Sequence, residues 1–208
     1  MKYYLSSYKL GDETDKLKAL IKSTNGKFAY ISNALDFTGA DSNRRKKHEI
    51  SDMNELAALG AEVELLDLRE YFGRKDALSD KLRTLGGVYI SGGNTFILRQ
   101  AMKLSGLDEL VLEMDKRDDF VYAGYSAAVC VLTPTLKAYA ITDDPTDFPY
   151  RDLTEQVWEG LGVLEYVIEP HYDSDHPESE STSKEIKWCI DNKILFKAYR
   201  DGEVLIIE

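Results

Sequence analysis

Ser126 is the side chain whose neighbours best suit it to chemistry. The apolar, β-rich run Phe120–Gly124 leads into Gly124-Tyr125-Ser126-Ala127-Ala128, and small apolar residues suited to a buried helix follow. This strand–turn–helix order is the setting of a nucleophile elbow, in which a strained turn lifts the serine oxygen above the sheet edge. Strand and helix approach closely there, so the flanking residues must be small. Gly124 and Ala128 meet that need, with Ala128 standing where the G-x-S-x-G form has glycine. The Ala127 N–H falls at a helix N-terminus and can point toward an oxyanion. A second donor is expected from another strand-end loop. Ser91-Gly92-Gly93-Asn94-Thr95 follows the apolar run Gly87–Ile90 and opens a helix, which makes the Gly93 N–H the natural choice. That segment lacks the Gly-Lys-Ser/Thr ending of a P-loop, and no G-x-G-x-x-G accompanies it. Helix capping and a tight turn would account for either segment taken alone.

A serine hydroxyl needs a base to take its proton. Of the three histidines, His48 sits in a basic run that disfavours a protonated intermediate, and His176 precedes Pro177 in a Ser/Glu-rich stretch that reads as exposed. His171 directly follows the apolar run Tyr166–Pro170, at the kind of sheet edge where Ser126 also projects, and is the expected general base. The run His171–His176 also contains the His and carboxylate groups of a metal site, so a metal-dependent hydrolase is an alternative. Strand-like alternation would turn its neighbouring side chains to opposite sides, and the expectation is that no metal is bound. Asp143, before Asp144-Pro145, and Asp201, before Gly202, are both able to orient the imidazole, and both also fit ordinary turn chemistry.

These groups meet only if the chain brings the strand ends together. Strand patterns cover Lys27–Ser32, Glu62–Leu68, Gly87–Ile90, Phe120–Gly124 and Tyr166–Pro170, each next to Gly, Pro, Asn or Asp. Amphipathic patterns lie between them. Leu17, Leu20 and Ile21 share one face, as do Ile50, Met53, Leu56 and Ala57, and then Leu78, Leu82 and Leu85, with further helices near Thr95–Lys103 and Leu107–Arg117. Such alternation predicts an α/β fold with a mainly parallel sheet and helices on both faces, in which ligands bind beyond the carboxyl ends of the strands. Near the C-terminus, Leu195–Tyr199 and Val204–Ile207 flank Arg200-Asp201-Gly202-Glu203, which predicts a hairpin.

Composition narrows the functions available. The 208 residues fit one domain spanning 1–208, and 37 acidic against 26 basic residues give a net charge of −11. That charge opposes nucleic-acid and anionic-membrane partners. The first apolar run, Tyr3–Leu5, is too short for a signal peptide or a membrane span. Cys130 and Cys189 are the only cysteines, too few for a disulfide framework, and Cys130 is expected to pack as core. A cytoplasmic monomer or homodimer without a cofactor is the expectation. The basic cluster Arg44-Arg45-Lys46-Lys47-His48 reads as a solvated first helical turn or, alternatively, as a substrate or partner patch.

Taken in order, Gly92-Gly93-Asn94-Thr95-Phe96, Gly124-Tyr125-Ser126-Ala127-Ala128 and Pro170-His171-Tyr172 resemble the aspartyl dipeptidase (dipeptidase E) and cyanophycinase family of serine peptidases. The resemblance implies a flavodoxin-like fold related to class I glutamine amidotransferases, and hydrolysis of a small peptide through an acyl-enzyme. It implies Ser126 as nucleophile, His171 as base, Gly93 and Ala127 as oxyanion donors, and Asn94 and Thr95 as pocket residues. It matches Asp143 to the charge-relay aspartate region, and Asp201-Gly202 to a Glu-Gly position that also approaches the histidine. Family members that cleave after an N-terminal aspartate carry arginines after the histidine. Residues 173–184 here have none and are acidic, which predicts a substrate other than an acidic peptide. A ligand-binding or regulatory homologue that keeps the elbow without turnover is the non-enzymatic alternative.

Overall fold

Side-chain alternation along each strand decides which helices it packs against. The structure, a computed structural model, describes residues 1–208. On one sheet face Tyr3, Leu5, Ala29, Ile31, Val88, Ile90 and Tyr122 are buried together, and on the other Tyr4, Phe28, Tyr30, Tyr89, Val121, Ala123 and Tyr125. These residues belong to β1 (Lys2–Ser6), β2 (Lys27–Ile31), β4 (Gly87–Ile90) and β5 (Val121–Tyr125), with β3 (Glu62–Leu65) beside β2. The first face is covered by α3 (Lys75–Arg83), α4 (Thr95–Ser105) and α5 (Leu107–Glu113). The second is covered by α1 (Thr14–Lys22), through Leu17, Leu20 and Ile21, and by α2 (Ser42–Ala58), through Leu56. Each such side chain contributes roughly 1.5–3 kcal/mol relative to leaving it in water.

The six-stranded sheet runs β3-β2-β4-β5-β1-β8, where β8 is Val204–Ile207. All pairs are parallel except β1 with β8. Strands β3-β2-β4-β5 reproduce the first four places of the flavodoxin-like order, and the N-terminal strand β1 takes the fifth. β1 has no counterpart among the expected strands, because its apolar centre is only Tyr3–Leu5 between Lys2 and Ser6. The registers Ile31↔Ile90, Ile90↔Gly124 and Leu5↔Gly124 align the carboxyl ends, so the residues after β1, β2, β4 and β5 meet at one edge.

The C-terminal hairpin does not form. The turn does, with Glu203 N–H donating to Arg200 C=O at 3.0 Å, but its flanking strands go to different sheets. β7 (Phe196–Ala198) pairs parallel with β6 (Val167–Glu169), whereas β8 adds antiparallel to β1. Two open edges outcompeted the local pairing, and the turn is instead stitched to the end of β1 through Ser7 N–H to Glu203 C=O at 3.0 Å and Asp12 N–H to Gly202 C=O at 2.8 Å. The strand expected over Glu62–Leu68 stops at Leu65, and a 3-10 turn begins at Leu68. The Ser/Glu-rich stretch after His176 opens α7 (Ser179–Asp191), which buries Thr182, Glu185 and Cys189.

Candidate active site

Ser126 sits between β5 and the short helix α6 (Ala127–Cys130) with φ 50° and ψ −111°. A side-chain-bearing residue in this region carries strain of about 1–3 kcal/mol, kept because the surroundings over-determine it. Ser126 N–H donates to Ser6 C=O at 3.3 Å, while its C=O receives Val129 N–H at 2.8 Å and Cys130 N–H at 3.0 Å. Gly124 is required by close approach, since a Cβ there would lie 2.5 Å from Ile90 O and 2.6 Å from Ala128 Cβ. Gly124→Ala is expected to destabilise the fold by about 1–3 kcal/mol, read as a lower denaturant midpoint. An unchanged midpoint would show that strand and helix can part without loss.

Gly93 lies after β4 at φ +139°, where a Cβ would meet Ala34 O at 2.5 Å. Neither its N–H nor that of Ala127 donates to another group of the protein. Both therefore remain available to a ligand oxygen. Asn94 is used differently from the expectation. Its Oδ1 accepts from Phe96 N–H and Ile97 N–H at 2.9 and 3.0 Å, capping α4, and its Nδ2 holds Asp144 C=O at 3.1 Å. It lines neither cavity at Ser126, whereas Thr95 lines the smaller one.

His171 follows β6 at φ 63° and is buried. Its Nδ1 lies 2.7 Å from Asp201 Oδ1, and its N–H donates to Ser7 Oγ at 2.9 Å. Ser7 Oγ in turn donates to Asp201 Oδ1 at 3.0 Å, and Asp201 N–H donates to Ser174 Oγ at 2.8 Å. The carboxylate beside the histidine is thus Asp201. Asp143 makes no hydrogen bond or ion pair with His171; its Oδ2 accepts the Thr95 N–H at 2.8 Å at the start of α4, where the helix dipole favours an acid. Ser126 and His171 line the same ≈130 Å³ cleft with Gly92 and Gly93, without a hydrogen bond between the two side chains. This cleft shares Leu35 and His48 with a wider pocket of ≈430 Å³, which Phe37, Arg44 and Arg45 also line. The basic cluster is accordingly the first turns of α2, with Lys46 and Lys47 exposed and Arg45 paired with Asp36 and Glu49.

Several residues here carried no signal in spacing. His176 is half-buried rather than exposed, and its ring stacks on His171 at 3.7 Å between centroids and 8° between planes. Tyr8 meets both rings edge-on. Strand alternation fails after Pro170 because His171 and Asp173 both have positive φ, and the resulting turns put both imidazoles on one side. On the far wall Tyr125 Oη donates to Asp52 Oδ2 at 2.8 Å and lies 2.7 Å from His48 Nε2. Burial raises the Asp52 carboxyl, but hydrogen bonds from His48, Tyr125 and Tyr30 outweigh it and hold Asp52 below its usual range.

Burial, then the neighbouring His176, lowers the pKa of His171 against the opposing pull of Asp201. A base works in its neutral form, so a lowered pKa extends that form to more acidic solution. The acid limb of kcat/KM is expected to have its midpoint below the ordinary histidine value of about 6.5. A midpoint at or above that value would contradict the assignment of His171.

Donor atoms of His171, His176 and Glu178 lie within 4.8 Å of one another, the arrangement a divalent ion would need. The backing of His171 Nδ1 by Asp201 suits a metal ligand. His176 does not fit: its Nδ1 accepts Glu178 N–H at 3.2 Å, which leaves the proton of the neutral ring on Nε2. Binding an ion there would cost this hydrogen bond and occupy His171 Nε2. Cys130 is buried and burial drives its thiol pKa far up, so it is core.

The fold is thus a mainly parallel α/β sheet that carries a serine on a strained strand-to-helix turn and a carboxylate-backed histidine lining one cleft. The family model of Peptidase family S51 matches residues 7–208, and the chain belongs to that family. It is 35% identical over 130 residues to the uncharacterized peptidase Lmo0363 of Listeria monocytogenes, covering 62% of this chain and 59% of that one. It is 28% identical over 132 residues to the uncharacterized peptidase PM1590 of Pasteurella multocida, covering 63% and 59%. The matched stretches thus span about three-fifths of these relatives. In fold it is similar to a putative peptidase E protein from Listeria monocytogenes (TM-score 0.73, 22% identity, 100% of this chain and 98% of that one). A peptidase from an acI-B1 Actinobacterium is similar at TM-score 0.63 and 16% identity, covering 100% and 83%. No helix is long and apolar enough to cross a membrane.

Proposed function

We propose that the protein is a cytoplasmic serine peptidase of the dipeptidase E type, hydrolysing small peptides through an acyl-enzyme. Ser126 Oγ attacks the scissile carbonyl while His171 Nε2 takes its proton. Asp201 holds the imidazole in the tautomer that carries its proton on Nδ1 and stabilises the imidazolium. The oxyanion rests on the Gly93 and Ala127 amides. His171 then protonates the leaving amine, and water attacks the acyl group by the reverse sequence, freeing Ser126. The observation that carries this reading is the 2.7 Å contact of Asp201 with His171 at the cleft that holds the strained Ser126. Membership of a peptidase family supports it.

The wide neighbouring pocket is large enough for the residue after the scissile bond, and Arg44 at its rim suits that residue's free carboxylate. The acidic stretch Asp173–Glu180 disfavours a negatively charged first residue. Turnover of a dipeptide panel with acidic, neutral and basic first residues tests the reading: neutral or basic first residues should be cleaved fastest. A marked preference for aspartate would overturn the specificity, and no turnover across the panel would overturn the activity. One observation favours a binding-only homologue, namely the missing Ser126–His171 hydrogen bond. Such bonds commonly tighten only when substrate is bound.

A further inference from the structure

Leu35 and His48 are the two residues that line both the ≈130 Å³ cleft at Ser126 and the ≈430 Å³ pocket beside it. With the attacked carbonyl in the cleft and the following residue in the pocket, the scissile C–N bond passes these two side chains. Leu35 is apolar, which leaves His48 as the hydrogen-bonding side chain at the junction. Its ring is fixed from behind. Asp52, one turn further along α2, is 3% exposed, and its Oδ2 receives Tyr30 Oη–H at 2.9 Å and Tyr125 Oη–H at 2.8 Å. The single hydroxyl hydrogen of Tyr125 is thereby committed to Asp52. The 2.7 Å contact between His48 and Tyr125 therefore runs from His48 Nε2–H to the phenol oxygen. In the neutral imidazole this leaves a lone pair on Nδ1, which has no hydrogen-bond partner within the protein. Nε2 is turned toward Tyr125 and Asp52, so Nδ1, on the other side of the ring, is directed away from the core, and the side chain is 32% exposed.

We infer that His48 Nδ1 accepts a hydrogen bond from the scissile N–H as the C–N bond breaks, a contact that favours amide over ester substrates. The assignment rests on the serine-peptidase reading of the cleft. The need for an acceptor follows from the chemistry of nitrogen. In a planar amide the nitrogen lone pair is delocalised into the carbonyl. When the Ser126 Oγ–C bond forms, the carbonyl π electrons move onto oxygen and the serine proton passes to His171 Nε2. The nitrogen then becomes pyramidal and its lone pair localises. The C–N bond breaks as His171 returns that proton to the lone pair, so the lone pair must face His171 and the N–H must point away from it. His171 stands on the turn after β6, and His48 stands on α2 at the far wall of the cleft. His48 neither gains nor loses a proton in this step. It supplies an acceptor met in full only once the nitrogen has turned, so the contact lowers the barrier rather than merely tightening binding. An ester brings oxygen lone pairs to the same place and has no hydrogen to donate.

The test compares the dipeptide cleaved fastest in the panel with its ester analogue, in which oxygen replaces the scissile N–H. Both substrates give the same acyl-enzyme, so kcat/KM reports the steps up to departure of the leaving group. His48→Gln keeps an N–H that can reach Tyr125 but has no acceptor at the place of Nδ1, whereas His48→Asn puts its amide oxygen there and gives up Tyr125. His48→Gln is expected to lower kcat/KM for the dipeptide about 10-fold more than for the ester, the worth of one hydrogen bond. His48→Asn is expected to recover most of that ratio. The ester rate on each preparation reports how much of the variant is folded and active. An unchanged ratio in His48→Gln, with Ser126-dependent cleavage of both substrates, would overturn the role of His48 and leave the peptidase reading standing. An equally depressed ratio in both variants would overturn it too, by assigning the ring a role in shape alone. Cleavage of the ester but not the dipeptide by the unaltered chain would overturn the peptidase reading together with the His48 contact, as would cleavage of neither.

Discussion

Ser126→Ala is expected to remove peptidase activity, lowering kcat by on the order of a millionfold, while the fold survives. Loss of the hydroxyl removes the proposed nucleophile; Cys130, the nearest thiol in sequence, is buried with its pKa raised far above neutrality. Alanine at φ 50° inherits the strain of the elbow, so the midpoint of thermal unfolding should move little. Ser126→Gly sharpens the test, because glycine adopts this backbone region without a Cβ penalty. It should be equally inactive yet more stable, by up to about 1–3 kcal/mol. Initial rates and thermal melts on the same preparations check both halves. Undiminished cleavage by Ser126→Ala would remove Ser126 from the mechanism, and a glycine variant less stable than the parent would show that the elbow stores no strain.

Asp201→Asn is expected to lower kcat by roughly 10,000-fold with a small change in KM. Its Oδ1 lies 2.7 Å from His171 Nδ1 and also receives the Ser7 hydroxyl at 3.0 Å. An amide there either faces its NH2 to the imidazole, selecting the wrong tautomer, or keeps its oxygen there and loses the charge that stabilises the imidazolium. Asp143→Asn should leave kcat near that of the parent, because Asp143 accepts the Thr95 N–H and makes no hydrogen bond to His171. Steady-state kinetics of the two variants separate the roles. A kcat collapse in Asp143→Asn with Asp201→Asn unaffected would restore Asp143 as the relay acid. Ser7→Ala belongs to the same chain of contacts. It frees both the His171 N–H and one Asp201 interaction, and a loss of about 10-fold in kcat is expected from positioning alone.

The elements around Ser126 were legible because their signals are local. Phe120–Gly124 is apolar throughout, as a strand buried on both faces must be, and the small residues after it leave room for a tight helix. Gly92-Gly93 marks a close approach whose partner, Ala34, is far away in sequence. The apolar faces of α1 and α3 followed from periodicity alone. β1 was not legible, since three apolar residues are too few to show alternation, and it became a strand only because β5 and β8 cover both of its edges. The hairpin failed for the same reason: a turn sequence specifies a change of direction, not which strand edge the chain then finds.

What the sequence by itself determined is the chemistry on offer: a serine in an elbow, a histidine after a strand, two aspartates in turns and two backbone donors, Gly93 and Ala127. These depend on residue type and short spacing, which the chain carries locally. Only the tertiary structure decided between the aspartates, because Asp201 reaches His171 through the addition of β8 to β1, a pairing between the two ends of the chain. The same long-range packing put Asp143 against Thr95 and folded α7 so that Glu185 lines a cavity under Ser126. No spacing rule links residues 7, 126, 143, 171, 185 and 201; the parallel sheet brings residues 7 and 126 to one edge, and the β6-β7 sheet, α7 and the turn before β8 pack the others against it.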